Sequence, residues 1–434
     1  MMDVISTREK SRLTAKLKRL RERNVALDID LMNRVSAIVD EVRVRGDAAL
    51  IDYALEFDHY SMQRDGIRIC ETELRRSAAL VDPDLLAALR ESIKRVRAFH
   101  EHQVEKSWVR DGASGVTLGE RVTPIERVGV YVPGGTAAYP SSLVMNVVPA
   151  QIAGVEEIVA VTPPRTVHEN PAIAAALVEL GVTQAYAVGG AQAIASMAYG
   201  TETVTRVHKI VGPGNRYVTA AKKLVFGVVG IDSLAGPSEV LIVADETAHA
   251  GLVAADLLAQ AEHSEDAAAL LITTSQDLAL AVVAEVAAQT NQLPRAGTIE
   301  SSLSNYGIII VAESMDEACE LVNEIAPEHL EIMVRDADAI AARIKHAGAI
   351  FIGQDTPEAV GDYLAGPNHV LPTSGAAKFS SALSVRDFIK RTSLVKFSAV
   401  ERARVSASIA VLARAEGLEG HARSVLMRGQ LDGK

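Results

Sequence analysis

From residue 127 onward the chain alternates two textures. Short runs of β-branched and aliphatic residues give way to longer Ala- and Leu-rich stretches with helical spacing. The short runs at 128–132, 157–161, 185–188 and 209–211 read as strands. Helices are predicted to begin near Ser141, Pro171, Ala191 and Tyr217. Each strand closes on a Gly/Pro loop: Pro133-Gly134-Gly135, Pro163-Pro164, Gly189-Gly190 and Gly212-Pro213-Gly214. Such βα repetition predicts a parallel sheet covered by helices. Ligands of these sheets gather at the carboxyl ends of the strands, where the glycine loops fall. A second series follows, with strands predicted at 240–244, 270–274, 308–311 and 349–352. Ser314 and Glu317 form a capping box that opens a helix leading to Pro327. The pattern predicts an α/β fold of two incomplete Rossmann-like parallel-sheet domains with small N- and C-terminal helical segments.

Composition supports that reading. Of 434 residues, 48% are hydrophobic and only 4% aromatic, an aliphatic makeup that suits parallel sheets under Ala-rich helices. The net charge of −11 disfavours nucleic acid and anionic membrane as partners. The exception is the start, where Arg8, Lys10, Arg12, Lys16, Lys18, Arg19, Arg21 and Arg23 crowd together, with Leu13, Leu17 and Leu20 at helical spacing. That segment reads as an amphipathic helix docking on a neighbour, or as an anion-binding arm. Cys70 and Cys319 give neither a disulfide framework nor a thiolate zinc site, which fits a reducing cytosol. Neither a signal peptide nor an apolar run of the ~20 residues needed to span a bilayer is visible, so a cytoplasmic location is expected.

Gln260 and His263 stand at i and i+3 of a predicted helix over 248–263 and share one face. With Asp362 and His421 arriving from far along the chain, they would make a mixed N/O set suited to Zn2+. Taken alone, His421 reads as an ordinary surface histidine, and Glu328-His329 after Pro327 as a surface acid–base pair. Residues 328 and 329 on a turn can face one cavity, as neighbours on a helix cannot. No G-x-G-x-x-G stands in a strand–helix context, so motif reading does not by itself call for a dinucleotide.

Taken together and in order, several runs do more. They are 128–142 around Tyr131-Val132-Pro133-Gly134, 187–192 ending in Gly190-Ala191-Gln192, and 210–215 ending in Gly212-Pro213-Gly214-Asn215. Then come Gly230-Ile231-Asp232, Gly236-Pro237-Ser238-Glu239, Ala326-Pro327-Glu328-His329, and 366–373 with Asn368-His369. With these the chain resembles the histidinol dehydrogenase family from about Arg43 to His421.

The resemblance implies a zinc-dependent, NAD-linked oxidation of L-histidinol through L-histidinaldehyde to L-histidine, closing histidine biosynthesis. Gln260, His263, Asp362 and His421 match the family's zinc ligands, one ion per subunit. Tyr131, Gln192 and Asn215 match positions that contact NAD. Glu328 and His329 match the water-activating and proton-accepting residues. Ser238, His369 and Glu416 join Gln260, His263, His329, Asp362 and His421 as substrate contacts. His421 is implied to cross into the other subunit of a homodimer with shared active sites. The resemblance also implies boundaries: an arm at 1–26, a first Rossmann-like domain at 27–129 plus 239–383, an inserted NAD-side domain at 130–238, and a C-terminal segment at 384–434. A departure stands at His208, where the family usually carries an acid. The alternative is a paralogue with the same fold, zinc and NAD that acts on another small polar alcohol, such as a sulfonated diol.

Overall fold

The computed structural model describes residues 2–25, 29–134 and 139–431. Gly135, Thr136, Ala137 and Ala138, from the first glycine run, lie outside them. The chain divides into one unit of residues 1–103 and 126–388 and another of residues 104–125 and 389–434.

Two six-stranded sheets form the first unit. In one, six parallel strands run in the order Asp3–Ser6, Ile308–Val311, Ala268–Thr273, Glu239–Ala244, His329–Met333 and Ala349–Ile352. Glu239–Ala244 is buried at every position, as a central strand covered on both faces must be. Helices Ala250–Ala261 and Gln276–Thr290 cover one face through Val253, Leu257, Leu258 and Val282. The other face is covered by helix Lys10–Val25, which buries Leu13 and Leu17, and helix Met315–Ile325. The basic N-terminal segment is thus a docked amphipathic helix. Ser314 caps Met315–Ile325 by accepting the Glu317 N–H at 3.2 Å. The Glu317 carboxylate returns not to Ser314 but to the Glu313 N–H, at 2.8 Å, and also takes the Thr7 hydroxyl.

The second sheet runs Arg68–Ile69, Gln184–Ala187, Glu157–Thr162, Arg127–Tyr131, Lys209–Val211 and Gly230–Ile231. Its strands are parallel apart from the antiparallel Arg68–Ile69 edge. Strand order reverses between Arg127–Tyr131 and Lys209–Val211, the crevice where such sheets bind ligands.

Some boundaries differ from the expected ones. Helices Ile29–Arg45 and Pro83–His100, expected with the first sheet, pack against helices Gly190–Tyr199 and Pro140–Ala153 of the second. The apolar face of Ile29–Arg45 (Leu31, Val35, Ile38, Val39, Val42) is buried there. Arg127–Tyr131 also belongs to the second sheet, which therefore begins ahead of residue 130. Residues 104–125 leave the first unit altogether. Their strands Trp108–Asp111 and Thr117–Pro124 pair antiparallel with each other and with Ile389–Lys396, completing the second unit's sheet. Helices Ala399–Ala415 and Glu419–Leu431 follow, packed through Ala410, Ala413 and Ala422. Strand Asp3–Ser6 adds an edge where only a helical arm was expected.

Candidate active site

Val240 lies opposite His329 in the register of the two central strands of the first sheet. Ala326, at φ 54°, ends helix Met315–Ile325 in a left-handed cap. Pro327 follows, and the chain enters the strand with Glu328 and His329 side by side, both 5% exposed. His329 therefore opens a strand rather than a turn. This site lies at the amino ends of its strands, unlike the crevice of the second sheet.

The Glu239 backbone serves both residues. Its N–H donates to Glu328 Oε2 at 2.9 Å, and its carbonyl lies 3.1 Å from His329 Nδ1. A carbonyl only accepts, so Nδ1 carries the hydrogen. Nε2 then keeps its lone pair, buried and without a partner among the described residues. Burial pulls the His329 imidazole down to about 4, against the pull of Asp362, so the ring is neutral at ordinary pH. Burial, aided by the Glu239 and Asp362 carboxylates, pushes Glu328 well above the usual carboxylate range.

A potential metal centre adjoins this pair. His263, Glu358 and Asp362 bring ligand atoms within 4.8 Å of one another. Gln260 is fully buried at the end of helix Ala250–Ala261, three residues before His263. Turned so that its amide nitrogen meets Glu358 at 2.7 and 3.1 Å, Gln260 has its oxygen free of that carboxylate. Glu358 also lies 3.4 Å from His329 Nδ1. Sequence reasoning missed Glu358. It stands four residues before Asp362 on helix Glu358–Tyr363, a spacing that puts both on one face, but the helix is too short for its sequence to announce it. His369 joins the same electrostatic neighbourhood, with burial lowering its imidazole and Nε2 buried without a partner among the described residues. Ser238 is half-buried and accepts the Ala268 N–H through its carbonyl. Glu416 and His421 belong to the second unit and are exposed, at the end of one helix and the start of the next.

A pair of acids lies beneath the centre. Glu331 Oε1 accepts the Glu358 N–H at 2.7 Å. No N–H or O–H donor among the described residues reaches Oε2. Burial, and next the neighbouring Asp256 carboxyl, raise Glu331 to about 9. A proton on the Asp256–Glu331 pair would supply the missing donor for Oε2.

Tyr131, Gln192 and Asn215 all sit at the carboxyl edge of the second sheet. Tyr131 is buried at the end of its strand, and its hydroxyl accepts the Gly190 N–H at 3.1 Å. Gly190 is at φ 64°, and a Cβ there would meet Gln192 Oε1 at 2.6 Å. Gln192 is 2% exposed on the first turn of helix Gly190–Tyr199. Asn215 caps helix Arg216–Val225 by accepting the N–H groups of Tyr217 and Val218 at 3.0 and 3.2 Å. The preceding Gly212 is at φ 108°, and a Cβ there would fall 2.2 Å from the Tyr131 carbonyl oxygen. A buried Lys222–Asp232 pair holds this loop: Lys222 donates to the Gly212 carbonyl at 2.7 Å, and Asp232 accepts the Gly212 N–H at 2.8 Å. His208 is exposed, its backbone bonded to Arg127 and Gly230.

A family model described as histidinol dehydrogenase matches residues 21–429. The chain belongs to the histidinol dehydrogenase family. A histidinol dehydrogenase of Synechococcus sp. is 53% identical over 91% of this chain and 92% of its own. One of Geobacillus kaustophilus is 51% identical, over 90% and 92%. A crystal structure of histidinol dehydrogenase from Elizabethkingia anophelis superposes with a TM-score of 0.90 at 36% identity, over 97% of both chains. As a member of the histidinol dehydrogenase family, the chain is an oxidoreductase of histidine biosynthesis.

Proposed function

We propose that the chain oxidises L-histidinol to L-histidinaldehyde and then to L-histidine, using two NAD+ and one Zn2+ per subunit. The observation that carries this reading is the buried Glu328–His329 pair, each oriented by one backbone group of Glu239. The two half-reactions need two different bases. An alcohol must lose its proton as hydride leaves carbon, and water must add to the aldehyde before the second hydride leaves. His329 Nε2 is a neutral acceptor for the first proton, and the Glu239 carbonyl still holds Nδ1–H when the ring becomes charged. Glu328, with Oε2 fixed by the Glu239 N–H, would be the base for water in its ionised form, which a cation in the adjoining centre would favour against the burial that raises it.

The donor set fits zinc: an imidazole from His263, carboxylates from Asp362 and Glu358, and the amide oxygen of Gln260. His421 would complete it from the other subunit. Bound there, Zn2+ would orient the substrate's nitrogen atoms more than it would take part in chemistry. Ser238, His369 and Glu416 would complete the substrate pocket. Tyr131, Gln192 and Asn215 line the switch-point crevice proposed for NAD+, which accepts the hydride. A shared-site homodimer also suits the second unit, whose helices expose Val400, Val411, Leu412 and Met427 at 60% or more. No described helix is long and apolar enough to cross a membrane. The free cysteines fit a reducing cytoplasm.

The test is NADH formation from L-histidinol and from other small polar alcohols, with and without chelator. Two NADH per histidinol, abolished by chelator, is expected. Faster turnover of a sulfonated diol would favour the paralogue reading instead.

A further inference from the structure

The N-terminal helix reaches the back of this site through one residue. Arg23, in the last turn of Lys10–Val25, has a side chain 1% exposed and pairs with Glu239 at 2.8 Å. Its two terminal nitrogens also donate to the carbonyls of Asp266 at 2.7 Å and of Ser238 and Pro237 at 3.3 Å. The other Glu239 oxygen accepts the Ser374 N–H at 2.8 Å. Residues 237–239 are therefore held from behind by a guanidinium fork. The same stretch offers its front, the Glu239 N–H and carbonyl, to Glu328 and His329.

We propose that Arg23 is a positioning residue for the oxidation, fixing the Glu239 backbone that aims Glu328 and sets the His329 tautomer. The inference rests on the catalytic roles proposed above for those two residues. A planar five-donor fork can bind a carboxylate and three carbonyls at once, whereas an ammonium on a flexible stem cannot hold that geometry. Removing the fork lets the 237–239 backbone shift. A misplacement of about 1 Å at reacting groups is enough to lose on the order of 10²-fold in rate.

The experiment uses the metal-loaded full chain with Arg23→Met and Arg23→Lys. Three readouts are taken: kcat and KM for histidinol and NAD+, thermal stability, and the tautomer of His329. The last is read by nitrogen NMR of histidine-labelled protein, assigned with His329→Gln. Arg23→Met is expected to lower kcat by roughly 10–100-fold, leave KM for NAD+ unchanged and turn a single Nδ1–H tautomer into a mixture. If Arg23→Met does not fold, Arg23→Lys decides, with an intermediate kcat and a mixed tautomer expected. A folded variant that keeps the single tautomer and wild-type kcat per folded molecule overturns the proposal. Failure of the catalytic reading is a different result: His329→Gln would then oxidise histidinol normally, while the tautomer would still report on Arg23.

Discussion

His329 and Glu328 differ by one position and are served by the C=O and N–H of the same residue, Glu239, which suits them to the two different roles proposed for them. His329→Gln is expected to slow alcohol oxidation by roughly 10²–10⁴-fold, the usual contribution of a placed general base. Glu328→Gln is expected to spare the first hydride transfer and impair the second. Single-turnover NADH formation from histidinol and from histidinaldehyde separates the two, and equal losses on both would refute the division. Glu331 belongs to this scale too. Its carboxyl is raised from 4.5 to about 9 by burial and the neighbouring Asp256. The folded state therefore holds a proton that the unfolded chain releases between those values. The associated stability is full below about pH 4.5 and declines as pH rises toward about 9. Glu331→Gln should flatten that decline, seen as urea midpoints that differ less between about pH 5.5 and about pH 8.5 than in the wild type.

At the level of elements, the crevice proposed for NAD+ depends on how a helix begins. Asn215 uses its side chain to cap Arg216–Val225. Asn215→Ala should cost about 1 kcal/mol of stability as well as NAD+ affinity. Asn215→Asp keeps the cap and favours the helix dipole, yet places a negative charge at a helix start where the anionic phosphates of a bound NAD+ would be expected to lie. It should melt like the wild type and bind NAD+ more weakly. Calorimetry with NAD+ alone distinguishes this from a purely structural cap, for which Asn215→Asp would bind normally. The elements also show what short patterns conceal. The helix carrying Asp362 is six residues long, too brief for periodicity, and strand His329–Met333 carries Glu331 amid its apolar residues.

On the scale of the whole molecule, two consequences follow. Each sheet of the first unit is sandwiched between helices. Chelation should thus abolish activity and leave the thermal unfolding profile largely unchanged, because a chain of this size has its own apolar core. Global unfolding on chelation would make the metal structural. The second consequence concerns Glu416 and His421, which the second unit carries exposed. If they complete the partner's site, His329→Gln and His421→Ala, each inactive, should complement one another when co-expressed. Random pairing of two-fold symmetric dimers predicts recovery of about a quarter of wild-type activity. Isolated mixed dimers that remain inactive would place the whole site within one chain.

Most of the strand order from residue 127 was legible because a parallel sheet needs continuous apolar runs and closes many strands on Gly/Pro loops, but the central strand His329–Met333 was missed, since Glu331 interrupts its apolar run and it begins straight after Pro327-Glu328. Of the candidate site residues, Tyr131, Gln192, Asn215, Ser238, Glu328, His329 and His369 fall in the long matched runs, while Gln260 and His263 stood out by helical spacing. Glu358, Arg23 and Asp256 left no comparable mark. Gln260 lies 98 positions from Glu358, Glu239 216 from Arg23 and Glu331 75 from Asp256, with His329 nearer at 29 from Glu358, and the contacts exist only once the sheets close. The second unit's sheet was hidden for the same reason, since Thr117–Pro124 finds its partner strand at Ile389–Lys396. Local sequence specifies backbone geometry, because turns and caps act within a few residues. Which charged groups share a low-dielectric interior, and so which can act as base, ligand or clamp, is decided by tertiary packing alone.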